Sequence, residues 1–224
     1  MTASSAKVNL LILILLSGLV IGFNLGSSSL HNQDEAMHAV TAREAATQGN
    51  WLPLTYNGRP YFNKPPLRIW LTALTFKAAG INEWTVRLWS AVFGLGTVLA
   101  LYLVGRRLWG DRTAFFSSLI LLTSHQYIYN HCVRTGETDS MLIFCWTCAL
   151  LFLQLSVENK NPRQLYVAAA FLRSCGMVKH LGFVPIVLFI AIAYVVLASV
   201  WRIFPLRTWG AGPLCFLLDN GLRL

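Results

Sequence analysis

Apolar runs of bilayer-spanning length set the first limit on what this chain can fold into. Residues 8–26 (VNLLILILLSGLVIGFNLG) are apolar apart from Asn9, Ser17 and Asn24, and a helix of that length crosses the hydrocarbon slab. Further apolar segments at about 88–105, 113–130, 140–157, 165–178 and 183–201 bring the number to six. In lipid each segment must satisfy its own backbone polar groups, so these runs fold as helices. The expectation is an all-α polytopic membrane protein, with one transmembrane region over residues 1–224. The fifth segment is short for a full crossing and reads as a tilted or broken helix. SSSLHNQDE, after the first segment, is too polar for a cleavage site, so that segment reads as a retained signal anchor.

Charge supports this class. Charged residues make up 12% of the chain, about half the share in a soluble domain. The net charge of +9 suggests nucleic acid, but most cations flank apolar runs, where membrane topology and lipid headgroups account for them. Nucleic acid is therefore excluded as a partner, and membrane lipids are expected. Cys145 and Cys148 form a C-x-x-C inside an apolar run. One helical turn apart, they read as small packing residues rather than as a zinc or redox site. Five cysteines, an odd number, suggest no disulfide framework.

The short loops orient the set. Arg106, Arg107 and Arg112, then Lys160 and Arg163, then Arg202 and Arg207 mark the cytoplasmic side, against Arg134 and Lys179 on the other. The N-terminus, with Lys7, is then cytoplasmic. The outer face receives loop 27–87, the short loop 131–138, Asp139 and Lys179-His180. Within loop 27–87, residues 34–48 read as a helix with Asp34 as its cap and Gly49-Asn50 as its stop. Tyr56-Asn57-Gly58-Arg59 reads as a turn. After Lys64-Pro65-Pro66, residues 67–79 read as an interfacial amphipathic helix, with Arg68 and Lys77 snorkelling. Trp84, Trp89, Tyr127, Tyr129 and Trp201 read as interfacial belts.

Carboxylates at the lip of a bilayer suit chemistry on a lipid-borne substrate. Asp34 and Glu35 are candidates for a general base; an N-cap and a helix-dipole charge are the structural alternatives. On a helix they point about 100° apart, so one of them faces a cleft, and Asp34 is favoured. Lys64, held rigid before two prolines, suits a lipid phosphate, with headgroup anchoring as the alternative. Asp139 opens an apolar span and could equally cap it. Lys179 sits between two apolar segments, where a charge is costly unless it faces water or a cavity. His31, His38, His125 and His131 match no metal-ligand template with the acids, so a divalent metal stays open and no cofactor is assigned.

Taken together, DEAMHAVTAREAATQGNWLPLTYNGRPYFNKPPLRIW, with the later GRRLWG, resembles the GT-C class of membrane glycosyltransferases, in the branch of aminoarabinose transferases and protein O-mannosyltransferases. The resemblance runs from about residue 8 to 200 and is most specific over 34–93. It implies a GT-C-like helix bundle with a structured first outer loop. It also implies transfer of a sugar, with inversion, from a polyprenyl-phosphate donor to a cell-envelope acceptor outside the cytoplasmic (inner) membrane. The acceptor is a lipid A-type lipid or a protein hydroxyl. By the same resemblance Asp34, with Glu35 beside it, and Asp139 are the catalytic acids. Lys64 holds the donor phosphate, with Lys179 as a second phosphate ligand, although His180-Leu181-Gly182 follows it in place of Gly-Pro. Tyr61, Arg59 and His38 complete the substrate-binding candidates. Asn63 stands where the aminoarabinose branch carries a metal-holding glutamate. Members of the family are longer, so the chain is expected to be an N-terminal part of one. The competing reading is a non-enzymatic membrane protein (a transporter segment or an assembly subunit) or an inactive truncated transferase.

Overall fold

The computed structural model describes residues 3–30 and 33–179; the sixth apolar segment, together with His31, His180, Trp201 and Cys215, lies outside the described residues. Eight helices and one small hairpin follow in order. They are α1 (Ala3–Gly22), α2 (Gln33–Gln48), β1 (Thr55–Tyr56), β2 (Arg59–Pro60), α3 (Leu67–Ala79), α4 (Glu83–Trp109), α5 (Asp111–Thr123), α6 (His125–Tyr129), α7 (Asp139–Asn159) and α8 (Pro162–Gly176). Among the described residues, three helices are long and apolar enough to cross a membrane: Ser5–Gly22, Glu83–Trp109 and Asp139–Asn159. The protein is an all-α polytopic membrane protein.

The long helices show why they belong in lipid. Leu15 and Leu19 of α1, and Phe23 just past its end, are each more than 60% exposed, which is the cost-free state for an apolar side chain only in hydrocarbon. The other face of α1 buries Leu13 and Ile21 against Val98 and Tyr102 of α4. α4 starts at a capping box: the Asn82 side chain accepts from the Thr85 amide and the Thr85 hydroxyl accepts from the Asn82 amide. It extends several residues beyond the apolar segment at both ends, because the cap and the terminal arginines tolerate headgroups. At one end of the bundle Asp111 joins three helices. Its carboxylate accepts from Asn9 Nδ2 at 2.7 Å and from the Tyr102 hydroxyl at 2.7 Å.

The third apolar segment is not one helix. α5 ends at Thr123, Ser124 takes an extended conformation, and the five-residue α6 follows. At 13 residues α5 is about 20 Å long, short of a full crossing. Tyr127, expected at an interface, is buried, with its hydroxyl donating to the Gly94 carbonyl at 2.7 Å. The fifth segment is α8, 15 residues long, with Asn161 accepting from the Arg163 amide and Pro162 in its first turn.

The segment between α1 and α4 forms a compact cap on the other end of the bundle. α2 and α3 pack through small and apolar residues, with Ala42, Ala45, Ile69, Ala73 and Phe76 buried together. The β1–β2 turn is Asn57-Gly58, both at positive φ, the pairing a two-residue hairpin favours. Glu44 of α2 holds it, accepting from the Thr55 hydroxyl at 2.5 Å and the Gly58 amide at 3.4 Å. α3 is not simply a floating interfacial helix. Lys77 lies over the Trp51 ring, but Arg68, expected to snorkel, is fully buried. Its guanidinium donates to the Val86 carbonyl at 2.7 Å, to Ser90 Oγ at 3.2 Å, to the Glu137 carbonyl at 3.4 Å and to the Thr72 hydroxyl. Trp89, expected in a belt, donates its indole N–H to Thr75 Oγ1 at 2.8 Å and so also fastens α4 to α3.

Candidate functional site

The cap, the 131–138 segment and the N-terminus of α7 meet at one end of the bundle, and a buried frame holds them. Arg87, in the first turns of α4, is its centre. It forms a two-pronged pair with Glu35 of α2, Nε to Oε1 at 2.8 Å and Nη2 to Oε2 at 3.2 Å. It also donates to the carbonyls of Leu25, Ser28 and Ser29 at 2.9–3.0 Å. Glu35 Oε1 further accepts from the Gly136 amide at 2.7 Å. Glycine is required at 136 because a Cβ there would stand 2.5 Å from Val86 and 2.9 Å from the Glu35 side chain.

This frame removes Glu35 from the reacting set. It is buried and its carboxylate is paired and hydrogen-bonded, so it has no surface to offer an acceptor. Asp34 lies inside the first turn of α2 rather than at its cap, since the helix begins at Gln33. Its side chain is 41% exposed, and Oδ2 lies 3.2 Å from Lys64 Nζ, itself 20% exposed. The adjacent acids thus diverge as helix geometry requires.

A second open pair stands nearby. Lys179 Nζ lies 2.8 Å from Asp139 Oδ1, each side chain about one-third exposed. Asp139 does not cap α7; Thr138 occupies that position without a side-chain cap bond. Glu137 connects the two pairs electrostatically. Burial pushes its carboxyl above the usual range, His131 Nδ1 at 2.7 Å opposes this, and the charges of Asp139 and Asp34 push it up again.

Two further sequence candidates lie within the field of the Asp34 charge. His38 is buried and its pKa falls to about 4, chiefly by burial and then by the Arg68 charge, against the pull of Asp34. The imidazole is therefore neutral. Its Nδ1 lies 3.4 Å from the Gly136 carbonyl, which only accepts, so Nδ1 carries the proton. Nε2 is then an acceptor, buried and without a partner among the described residues. The Tyr61 hydroxyl is likewise buried and unpaired, its pKa pushed up to about 12 by burial and then by Asp34. Ser140 Oγ, beside Asp139, is a third such atom. Buried polar groups normally have partners, and polar sugar or phosphate groups are of the kind that would satisfy these. Arg59 is not part of this group: it is exposed on β2, and no ion pair joins it to the two acids among the described residues.

No group of three or more histidine, cysteine or acidic side chains able to hold a metal gathers among the described residues. Asn63 is exposed, and its neutral amide is a poor stand-in for an anionic metal ligand. The described residues assemble no metal-ligand set, and no chemistry is routed through a metal below.

Sequence reasoning missed the frame itself. Arg87 stands at the edge of an apolar run, and a cation there calls for a partner. That signal was present, but nothing local names Glu35, 52 residues away.

Known proteins resemble this chain in sequence and in fold. Residues 63–217 match the family model described as dolichyl-phosphate-mannose-protein mannosyltransferase. An uncharacterized protein of Aquifex aeolicus is 36% identical over 75% of this chain and 36% of its own length. An undecaprenyl phosphate-alpha-4-amino-4-deoxy-L-arabinose arabinosyl transferase of Pseudomonas savastanoi is 32% identical over 68% of this chain and 28% of its own. The crystal structure of ArnT from Cupriavidus metallidurans bound to undecaprenyl phosphate superposes with a TM-score of 0.77 at 25% identity, covering 92% of this chain and 38% of that one. The chain thus spans between a quarter and two-fifths of the length of these relatives. With the family model covering well over half of it, and the fold shared with a solved transferase, the chain belongs to the dolichyl-phosphate-mannose-protein mannosyltransferase family of GT-C membrane glycosyltransferases.

Proposed function

We propose that this chain carries the donor-binding and acid-bearing part of a glycosyltransferase. Such an enzyme moves a sugar from a polyprenyl phosphate to an acceptor on the outer side of the cytoplasmic membrane. The supporting observation is the Asp34–Lys64 pair. It sets a half-exposed carboxylate 3.2 Å from an ammonium, with His38 Nε2 and the Tyr61 hydroxyl buried and without partners among the described residues. The outer side is supported by the basic α4–α5 connection at the opposite end of the bundle, with Arg106, Arg107 and Arg112.

The chemistry is a single displacement. An acceptor oxygen attacks the anomeric carbon from the face opposite the phosphate. The bond from that carbon to the phosphate oxygen breaks, and the lipid phosphate leaves with the electron pair. Lys64, already charged, steadies the leaving phosphate. When the acceptor is a hydroxyl, its proton passes to Asp34; when it is an anionic phosphate, Asp34 orients it instead. His38 Nε2 accepts from a sugar hydroxyl and the Tyr61 hydroxyl donates to an oxygen. Asp139 and Lys179 form the second charged wall. Of the two acceptors suggested by the sequence, a phosphorylated lipid suits a site opening at bilayer depth better than a protein hydroxyl.

Membranes carrying the chain, supplied with a radiolabelled sugar on polyprenyl phosphate, test the proposal. The chain should retain the donor, and Lys64→Gln should reduce retention roughly tenfold. Where transfer is measured, Asp34→Asn should lower it at least about a hundredfold with insertion unchanged. Near-normal transfer by Asp34→Asn would overturn the role given to that residue.

A further inference from the structure

A cleft of about 210 Å³ opens on the side of the Glu35–Arg87 pair, between the end of α1 and the α6–α7 connection. Ser27, Tyr129, Arg134 and Thr135 line it, and the Glu35–Arg87 pair forms part of its wall. Arg134 is held in place twice. Nη1 donates to the Val20 carbonyl at 2.8 Å, and its guanidinium lies over the Tyr129 ring, 5.6 Å from the centroid.

Charge decides what the cleft takes. The Glu35 carboxylate is paired with Arg87, so that pair contributes little net charge. Arg134 has no carboxylate within ion-pair distance among the described residues. Its cation is fixed, partly accessible and surrounded by hydroxyls and an aromatic face. A planar guanidinium held in this way matches a phosphate. The lip beside it is greasy, since Phe23 and Leu19 at the end of α1 are exposed. A ligand with both a phosphate and an acyl chain satisfies both surfaces.

We propose that this cleft binds the phosphate of an amphiphilic lipid, at a subsite separate from the Asp34–Lys64 pair. Helix α2 sends Asp34 and Glu35 in different directions, so a lipid phosphate at Arg134 would be anchored beside the reacting carboxylate without competing for Lys64. Two sources share this chemistry, an anionic membrane phospholipid and a phosphorylated lipid acceptor. The cleft does not need sugar transfer to be real, so its test is a binding measurement.

The chain is purified in neutral detergent, and phosphatidic acid retention is read by native mass spectrometry against phosphatidylcholine. Phosphatidic acid should be retained preferentially. Arg134→Gln should lower that retention roughly tenfold, with Arg134→Lys recovering part of it. Ser27→Phe leaves Arg134 untouched and fills the mouth, so it should also lower retention. Lys64→Gln should lower it by less than Arg134→Gln does. Retention unchanged in both Arg134→Gln and Ser27→Phe would overturn the subsite. So would a loss caused by Lys64→Gln equal to that caused by Arg134→Gln. A parallel arm uses a monophosphorylated glucosamine lipid. Retention at least tenfold above phosphatidic acid identifies the cleft with the acceptor, and equal retention identifies it with bulk anionic lipid.

Discussion

Asp34 and Glu35 are neighbours in the chain and opposites in the structure. Glu35 is sealed against Arg87 and the Gly136 amide, whereas Asp34 meets Lys64 at a rim open to solvent and lipid. The difference is one of desolvation. A buried pair is costly to form and far more costly to break from one side, because the remaining charge stays in a low dielectric. An exposed pair is worth about 1 kcal/mol or less and can part when a better ligand arrives. The frame can therefore be rigid while the pair next to it exchanges partners.

The largest test removes one side of the frame. Arg87→Leu should destabilise the protein by about 3–5 kcal/mol in denaturant titration. Adding Glu35→Gln should recover part of the loss, giving a positive coupling in a double-mutant cycle. A cost as small as that of an exposed pair would erase the contrast between the two acids.

Next in size is the acid sensitivity of His38. Its folded pKa, about 4, lies below the ordinary value of 6.5, so the unfolded chain takes up a proton that the folded chain refuses. Its contribution is absent above pH 6.5. Stability then falls as pH drops towards 4, by up to about 3 kcal/mol. His38→Phe should flatten that slope relative to the parent chain, and an unchanged slope would put the imidazole in water.

Gly136→Ala comes third, at about 1–3 kcal/mol, read by thermal unfolding, because a methyl group there has to displace Val86 or Glu35. The smallest effect sharpens the comparison from the rim. Lys64→Gln should change unfolding stability by no more than about 1 kcal/mol while weakening donor retention. A large loss of stability would mean that this pair also belongs to the frame.

Much of this was legible in the sequence, for reasons that can be named. α2 and α3 were readable because Gly49 and Pro65-Pro66 punctuate them, and the long apolar runs of α1, α4 and α7 state their own environment. The divergence of Asp34 and Glu35 followed from helix geometry alone. The break at Ser124 was not readable, since neither proline nor glycine marks it and the apolar pattern runs through. Arg68 and Arg87 were misjudged or missed for a related reason. Their acceptors are largely backbone carbonyls, such as Val86, Leu25 and Ser28, 18 to 62 residues away, and a carbonyl leaves no mark in a sequence.

The Asn9–Asp111 bond carries a consequence for biogenesis. The two residues are 102 positions apart, so the first helix leaves the ribosome long before its inner latch exists. An amide near the hydrocarbon edge must wait for the first residue of α5 before it finds a carboxylate. The final rotation of that helix, and with it the direction of its greasy face, is therefore fixed only after α4 and the start of α5 have been translated. Insertion of the anchor and its seating are separate events in time.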